Sequence, residues 1–289
     1  MTGTVIPSDI DPPRLLSIAA GLLDDITPRF IEGLGAPSAV DKGGNDFATE
    51  LDLELERTLS ARLTEATGIG VHGEEFGGPD VTSGTVWVVD PIDGTFNYSA
   101  GLPLAGTLLA LLHDGKPVLG LTWLPLFDLR YQAFVDGPVI CNGEPVPALR
   151  PARLQDSVIA FGAFNLNSGG RFPGNYRVEI LGEVSREVSR LRLLGSTGLD
   201  MALTAGGKLG GAICFGHHAW DNAAGAALVL AGGGVVTDLA GEPWHVTSSS
   251  MLAGSPGVHE ELATIIEGVG DPADYLPERT PRPSRGGAS

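Results

Sequence analysis

The stretch VVDPIDGTFN at residues 88–97 places two aspartates three positions apart, directly after an apolar run suited to burial. Asp90 is expected to close a buried strand. Because Pro91 has a fixed φ and cannot donate to a strand ladder, we expect the chain to turn there. The carboxylates of Asp90 and Asp93 and the carbonyl of Ile92 could then converge on one point. An all-oxygen site of this kind suits Mg²⁺.

The same stretch also predicts a place for a phosphate group. Gly94 lets a ligand approach the backbone closely, and the N–H groups of Gly94 and Thr95 would be free at the start of a short helix. The alternative for an Asp-x-x-Asp pattern before Gly-Thr is an Asx turn followed by a helix cap. The spacing of this segment alone leaves both interpretations open.

Two other acidic segments favour the metal interpretation. Gly-Glu-Glu at 73–75 ends the preceding predicted strand, and Trp-Asp at 220–221 begins a predicted helix, where an ordinary N-cap is the alternative. Residues 63–115 and 209–278 contain no Lys or Arg. If these carboxylates gather at a site that binds phosphate, metal ions are needed to balance the charge. The pattern therefore indicates a multi-metal phosphatase.

Composition narrows the class of protein further. The 289 residues carry a formal net charge of −17, which argues against nucleic acid and anionic membranes as partners. The two cysteines, Cys141 and Cys214, predict no disulfide framework and favour the cytoplasm. The N-terminal segment lacks the pattern of a signal peptide, and the longest apolar runs are too short to span a membrane.

Hydrophobic periodicity predicts an α+β protein. Two helices are expected at 13–34 and 48–67, with Pro28 kinking or restarting the first, followed by an antiparallel meander at 103–146. The predicted organisation is an N-terminal α+β half at 1–147 that carries most of the metal ligands, a C-terminal α/β half at 148–270 and a disordered tail at 271–289.

The sequence also resembles the Mg²⁺-dependent, lithium-sensitive inositol monophosphatases over roughly residues 10–268. The matching segments are NDFATELD at 45–52, GEE at 73–75, DPIDGT at 90–95, GSTGLD at 195–200 and WDNAAG at 220–225. The resemblance implies a layered αβαβα sandwich and a homodimer. It also implies hydrolysis of the phosphate monoester of a small metabolite with two or three Mg²⁺ ions.

The resemblance assigns metal ligands to particular residues. The first ion would be held by Glu74, Asp90 and the carbonyl of Ile92, and the second by Asp90, Asp93 and Asp221. Glu74 would also face a third, looser ion.

The resemblance likewise assigns the water and the substrate. Thr95, with Asp52 behind it, would orient the attacking water, and Glu74 belongs to the same catalytic group. The backbone of Gly94 and Thr95 would hold the phosphate. The substrate would also contact Asp93, Asp221, Ser196 and Thr197.

Two departures from the family pattern concern the substrate side. Cys214 stands where animal-type members carry a glutamate that contacts inositol hydroxyls, and the loop at 195–198 reads Gly-Ser-Thr-Gly instead of the usual Gly-Ser/Thr-Ala-Ala. His217 and His218 are interpreted as surface or capping residues, with a role in a polar pocket as the alternative. The chemistry is therefore better defined than the substrate.

Inositol 1-phosphate is the predicted substrate. Fructose 1,6-bisphosphate, 3′-phosphoadenosine 5′-phosphate and histidinol phosphate are alternatives, of which the first two carry a second phosphate that basic side chains would have to hold. The motif-bearing segments offer few such side chains, although Arg186, Arg190 and Arg192 are candidates. A catalytically silent protein that binds metal or a phosphorylated ligand as a regulator is the remaining alternative.

Overall fold

The computed structural model describes residues 10–36, 40–43, 46–48, 50–167 and 171–275. These residues form seven α-helices: α1 Pro12–Glu32, α2 Glu50–Thr67, α3 Thr95–Ser99, α4 Gly174–Glu187, α5 Thr197–Ala205, α6 Ala219–Ala231 and α7 Val258–Val269. They also form fourteen strands: β1 Val40–Gly43, β2 Asp46–Ala48, β3 Val71–Gly73, β4 Thr85–Asp93, β5 Gly106–His113, β6 Lys116–Leu124, β7 Leu129–Phe134, β8 Ile140–Cys141, β9 Glu144–Pro145, β10 Val158–Phe161, β11 Arg190–Arg192, β12 Gly211–Cys214, β13 Val235–Thr237 and β14 Met251–Gly254.

The two N-terminal helices lie where the periodicity predicts them. Pro28 lies inside α1, which is a single helix of 21 residues, so the expected restart is wrong, and the expected kink stays a prediction. Ile26 and Phe30 on either side of the proline are both buried, so packing against the sheet keeps the helix continuous across the missing hydrogen bond.

The larger sheet contains seven strands in the order β3-β4-β5-β6-β7-β8-β9. Its first pair is parallel and the remaining pairs are antiparallel, which confirms the predicted meander. Tight turns at 113–116 and 142–143 connect neighbouring strands of this meander. Asp114 and Asn142 both have positive φ and are each followed by a glycine with positive φ, as hairpin turns of this type require.

The smaller sheet has the order β11-β10-β12-β14-β13. β10 pairs in parallel with both β11 and β12, whereas β14 pairs antiparallel with β12 and β13. The strands of the larger sheet lie within 71–145 and those of the smaller sheet within 158–254. The predicted boundary near residue 147 falls between the two sheets, and the division into two halves stays a prediction.

The helices and sheets alternate in five layers. The face of the larger sheet that carries Trp87 and Leu109 packs against α1 and α2, and its other face packs against α5 and α6. The smaller sheet lies on the far side of α5 and α6, and α4 and α7 cover its outer face. This arrangement confirms the αβαβα sandwich.

Two further features of the chain bear on earlier expectations. Residues 272–275 form a turn of 3₁₀ helix, and Tyr275 stacks on Tyr176 with ring centroids 4.1 Å apart. Regular structure therefore extends beyond the predicted boundary at residue 270, and residues 276–289 lie outside the described residues. None of the described helices is both long and apolar enough to cross a membrane.

Candidate active site

A bulge in β4 brings the two aspartates of the DPID segment together. Asp90 pairs with Leu108 of β5 and Asp93 pairs with Gly106, so three steps along β4 match two along β5. The expected end of the strand at Asp90 is therefore wrong, because β4 continues through Pro91 to Asp93. The bulge accommodates Pro91, which has no N–H to donate. The next backbone N–H, that of Ile92, donates to Asp90 Oδ1 at 3.0 Å.

Asp221 completes an acidic cluster with these two residues. It lies in the first turn of α6, and one carboxylate oxygen from each of Asp90, Asp93 and Asp221 lies within 4.8 Å of the other two. Asp90 and Asp93 are only 1% and 6% exposed. Oxygen donors of this kind at this separation fit the coordination of Mg²⁺. The donor atoms of the cluster are therefore chemically suited to bind a divalent cation.

The electrostatics of the cluster are unfavourable without a cation. Burial raises the pKa of Asp90 well above its ordinary value, and the neighbouring carboxylates of Glu74 and Asp93 raise it further. Burial also raises the pKa of Asp93 to about 6, although hydrogen bonds from the loop at 196–198 partly offset that rise. A bound divalent cation would reverse both shifts by favouring the charged carboxylates.

The loop before α5 holds the Asp93 carboxylate. The Ser196 hydroxyl donates to Asp93 Oδ2, the Gly198 N–H donates to the same oxygen at 2.8 Å, and the Thr197 N–H donates to Oδ1 at 3.2 Å. Ser196 is also the N-cap of α5, since its Oγ accepts from the Leu199 N–H at 3.1 Å. The two predicted substrate residues, Ser196 and Thr197, therefore contact a predicted metal ligand directly.

Gly94 and Thr95 follow the bulge and begin α3. Gly94 has a φ of +82°, a conformation that side chains disfavour, and it precedes the first helical residue, Thr95. The Thr95 hydroxyl donates to the Ile92 carbonyl at 3.0 Å. The carbonyl predicted to bind a metal is thus fixed by the residue predicted to orient the water.

The Gly-Glu-Glu segment is held by a residue that the sequence analysis did not identify. Glu56 of α2 is buried and accepts hydrogen bonds from the backbone N–H groups of Glu75 at 2.7 Å and Phe76 at 2.9 Å. A Cβ at residue 73 would lie 1.9 Å from Glu56 Oε1, so Gly73 makes room for this carboxylate. Glu56 therefore sets the position of the loop that carries Glu74.

A cavity of about 620 Å³ joins most of the predicted site residues. Its lining includes Glu74, Asp90, Ile92, Asp93, Gly94, Thr95 and Asp221, together with Glu75, Leu53, His218 and Trp220. Clustered carboxylates, a hydroxyl and the start of a helix thus face one space in this chain.

Asp52 is not part of the lining of this cavity. It is buried in the first turn of α2, and its charge raises the pKa of Asp90. Its predicted partnership with Thr95 stays a prediction. Asn45 and Thr49 of the same NDFATELD segment lie outside the described residues.

His218 is exposed, as expected for a surface residue, and His217 is half-buried. His218 occupies the N-cap position of α6, but its side chain makes no capping hydrogen bond. Instead its ring stacks on Trp220 with centroids 4.4 Å apart, and both residues line the cavity. His217 packs against His218 at 4.2 Å.

A second cavity of about 320 Å³ shares Asp93 and Asp221 with the first. Ser196, Thr197 and Cys214 line it, so the position where the family pattern has a glutamate does face the site. Burial and nearby carboxylates raise the pKa of the Cys214 thiol well above its ordinary value, so this side chain is neutral.

The second cavity also contains two charged residues that the sequence analysis missed. Arg177 of α4 and Asp200 of α5 both line it. Asp200 is 2% exposed, its Oδ1 accepts no hydrogen bond from the described residues, and burial raises its pKa well above the ordinary value. Asp200 lies within the GSTGLD segment at 195–200. Arg177 belongs to no motif, and its place in the cavity follows only from the packing of α4 against the smaller sheet.

Comparison with known proteins agrees with this geometry. The family model described as "Inositol monophosphatase family" matches residues 14–270. An inositol-1-monophosphatase, ImpA, of Mycolicibacterium smegmatis is 56% identical over 274 residues, covering 94% of this chain and 99% of the relative. A probable inositol 1-monophosphatase, ImpA, of Mycobacterium tuberculosis is 57% identical over 261 residues, covering 90% and 97%.

Solved structures give the same result for the fold. The crystal structure of the extragenic suppressor protein suhB from Bartonella henselae superimposes with a TM-score of 0.80 at 26% identity, and the match covers 88% of this chain and 98% of that one. With the acidic cluster, the family match and the fold in agreement, this chain belongs to the inositol monophosphatase family.

Proposed function

We propose that this protein hydrolyses the phosphate monoester of inositol 1-phosphate in a Mg²⁺-dependent reaction. The observation that carries the proposal is the cluster of Asp90, Asp93 and Asp221, whose carboxylate oxygens lie within 4.8 Å of one another beside the start of α3. The names and identities of the two mycobacterial relatives support inositol 1-phosphate as the substrate.

The proposed metal ligands are Glu74, Asp90, the Ile92 carbonyl, Asp93 and Asp221, which would hold two or three Mg²⁺ ions. Bound Mg²⁺ would make a water more acidic and would neutralise charge on the phosphate and the leaving oxygen. The proposal that several ions bind is supported by the number of carboxylates that line one cavity.

Thr95 is suited to orient the attacking water. Because its hydroxyl donates to the Ile92 carbonyl at 3.0 Å, its oxygen is left to accept a hydrogen bond from a water. Asp52 and Glu74 would complete this catalytic group. The backbone N–H groups of Gly94 and Thr95 would bind the phosphate oxygens.

The proposed reaction is a single displacement at phosphorus. The water oxygen forms a bond to phosphorus as the phosphorus–oxygen bond of the ester breaks. One proton of the water is transferred to the leaving oxygen to give inositol, and the other stays with the phosphate product. Asp93, Asp221, Ser196 and Thr197 line the side where the leaving group would lie. Hydrogen bonds from the loop at 196–198 keep Asp93 in place during this step.

The test is phosphate release with and without Mg²⁺ from inositol 1-phosphate, fructose 1,6-bisphosphate, 3′-phosphoadenosine 5′-phosphate and histidinol phosphate. We expect turnover only with Mg²⁺, the highest kcat/KM for inositol 1-phosphate, and loss of turnover in Asp93→Asn. A higher kcat/KM for another substrate would keep the phosphatase chemistry and refute the substrate. Ligand binding without any turnover would instead support the silent regulator.

Three further properties belong to the same proposal. We expect inhibition by Li⁺, a cytoplasmic location and a homodimer. The dimer is supported by an apolar cavity of about 260 Å³ whose lining includes Phe127, Leu129, Leu194 and Leu203, next to the exposed side chain of Leu193. An apolar surface of this kind would be buried against a second copy of the chain.

A further inference from the structure

The side-chain amide of Asn97 lies where three separate segments of the chain meet. Its Nδ2 donates to the carbonyls of Leu104 at 2.9 Å, Leu194 at 2.8 Å and Gly195 at 3.2 Å. Asn97 itself belongs to α3, the short helix that begins at Thr95. One side chain thus joins the start of α3, the segment before β5 and the loop before α5.

The three carbonyls require a hydrogen-bond donor at this position. The amide of asparagine offers two N–H groups, which the three carbonyl oxygens share. A side chain of the same size without N–H groups would leave all three oxygens facing one another unpaired. A Cβ at residue 195 would lie 3.1 Å from Asn97 Nδ2, so the glycine there lets the amide come close.

The loop at 194–198 is held at two places. Residues 196–198 donate to the carboxylate of Asp93, and the carbonyls of residues 194 and 195 accept from Asn97. Among the described residues, the backbone of residues 194 and 195 makes no other hydrogen bond. Without the Asn97 amide, a proposed metal ligand, Asp93, would have to hold the loop alone.

The turn that follows β4 contacts the same loop. A Cβ at residue 94 would lie 3.1 Å from Ser196 Cβ and 3.4 Å from the Gly195 carbonyl oxygen. Gly94 and Thr95 are the proposed phosphate-binding residues, whereas the loop lines the side where the leaving group would lie. The Asn97 amide therefore fixes the spacing between the parts of the site that would hold the two ends of the ester.

We propose that Asn97 is a positioning residue of the active site. Its amide fixes the loop at 194–198 against the turn at 93–95, and so keeps the Asp93 carboxylate in the orientation that binds Mg²⁺. Asn97 lines neither cavity of the site, so its effect on metal binding passes through the loop. The inference rests on the proposed phosphatase function and adds to it a residue outside the metal and substrate contacts.

The test measures Mg²⁺ binding directly. The unfolding temperatures of wild type, Asn97→Ala and Asn97→Leu are followed as Mg²⁺ is added to the EDTA-treated proteins, which gives a Kd for Mg²⁺ without turnover. We expect at least a tenfold higher Kd in Asn97→Ala. Asn97→Leu should be impaired to the same extent, because leucine keeps the size of the side chain and lacks the donors.

A third variant keeps the amide. Asn97→Gln carries the same two N–H groups on a side chain that is one methylene longer, so it shifts the loop without losing the donors. Its Kd for Mg²⁺ should lie between those of wild type and Asn97→Ala. The same titration of this variant decides the proposal if neither of the other two variants folds.

Activity on inositol 1-phosphate gives a second readout. At saturating Mg²⁺, kcat of Asn97→Ala should fall at least tenfold. Tyr98→Phe is the matched control on the same helix, since the buried Tyr98 hydroxyl donates to the Phe30 carbonyl of α1 and not to the loop. The control should lower the unfolding temperature in EDTA, while kcat and the Kd for Mg²⁺ stay within about threefold of wild type.

Each remaining outcome is decisive. A wild-type Kd for Mg²⁺ in every folded Asn97 variant would show that the residue supports only the fold, and would overturn the proposal. A wild-type Kd in Asn97→Leu alone would show that the volume of the side chain matters and its donors do not, with the same consequence. If wild type binds Mg²⁺ but releases phosphate from none of the substrates, the proposed function is refuted, and the comparison of Kd values still tests Asn97.

Discussion

The hydroxyl of Ser196 donates a hydrogen bond to the carboxylate of Asp93, which lies 103 positions earlier in the chain. Ser196 is the N-cap of α5, and Asp93 ends β4. The bond therefore joins the loop predicted to contact the substrate to a predicted metal ligand. It also favours the charged form of Asp93, which is the form that binds a cation.

Replacing this serine should affect both stability and the metal requirement. Ser196→Ala removes a hydrogen bond to a carboxylate and a helix N-cap, which together predict a loss of about 2–3 kcal/mol in the free energy of unfolding. The pKa of Asp93 should rise further, so the Mg²⁺ concentration for half-maximal activity should increase by about tenfold. Denaturant unfolding and a Mg²⁺ titration of activity measure the two effects.

Ser185→Ala is the matched control for this substitution. Ser185 is an exposed serine of α4, and its hydroxyl donates only to the Gly182 carbonyl at 2.7 Å. The control should leave the Mg²⁺ requirement unchanged. An unchanged Mg²⁺ requirement in Ser196→Ala as well would mean that the serine acts as a helix cap alone.

The stability of the metal-free protein should fall as pH rises through about 6. Burial raises the pKa of Asp93 from its ordinary value of 3.8 to about 6 and raises that of Asp90 in the same direction. The folded state therefore binds more protons than the unfolded state between these values, and this contribution to stability is complete below about 4 and lost above about 6. Thermal unfolding in EDTA across this range should show a falling midpoint.

Added Mg²⁺ should reverse that trend, because the ion binds the deprotonated carboxylates and displaces their protons. The stabilisation by Mg²⁺ should therefore increase from pH 5 to pH 7. A midpoint in EDTA that does not change with pH would contradict the pKa shifts of the acidic cluster.

Asp90→Asn should stabilise the metal-free protein and abolish its activity. Asp90 is 1% exposed, and burial raises its pKa most, with Glu74, Asp93, Asp221 and Asp52 raising it further. A neutral amide removes this repulsion, so the metal-free variant should be more stable than wild type at pH 8 by about 1–3 kcal/mol. Its Mg²⁺-dependent activity should be lost. A destabilised variant in EDTA would show that the charge of Asp90 is already balanced without a cation.

The sequence predicts much of this fold because its signals are local. The period of the helices, the small residues of α6 and the turn residues at 113–116 and 142–143 each indicate an element without reference to the rest of the chain. The acidic segments were equally visible, since each follows an apolar strand or begins a helix. The resemblance to a known family then supplied the order of the layers.

The parts that the sequence did not predict depend on contacts between distant segments. The bulge in β4 arises from pairing with β5, so the strand was expected to end at Asp90. From the periodicity of α2, Glu56 cannot be distinguished from a residue that faces solvent. Its carboxylate nevertheless accepts hydrogen bonds from backbone N–H groups 19 and 20 positions away. Asn97 likewise donates to the carbonyls of Leu194 and Gly195, almost a hundred positions downstream. Such pairs require the tertiary fold.

The proposed dimer interface can be tested with a single charge. Phe127 is 41% exposed and lines the apolar cavity beside Leu129, so Phe127→Glu would place a carboxylate in the proposed interface. We expect the variant to elute as a monomer where wild type elutes as a dimer, in size-exclusion chromatography with light scattering. Val178→Glu, at an exposed position of α4, should remain dimeric. A monomeric wild type would refute the dimer.

Glu56 is expected to act as a positioning residue for the Glu74 loop. Its two carboxylate oxygens accept one backbone N–H each, from Glu75 and Phe76. Glu56→Gln leaves one of these N–H groups facing an amide NH₂, which predicts a loss of about 1–3 kcal/mol in the free energy of unfolding. Because the loop then holds Glu74 less firmly, kcat should fall at least tenfold and the Mg²⁺ requirement should rise, while KM changes little.

A matched substitution on the same helix separates positioning from general destabilisation. Glu54→Gln removes an exposed carboxylate that pairs with Arg29 at 3.0 Å, an interaction worth at most about 1 kcal/mol. This control should leave kcat and the Mg²⁺ requirement unchanged. If Glu56→Gln lowers stability but its kcat and Mg²⁺ requirement match those of wild type, Glu56 supports only the fold, and the loop must take its position from other contacts of the Gly73–Gly77 turn.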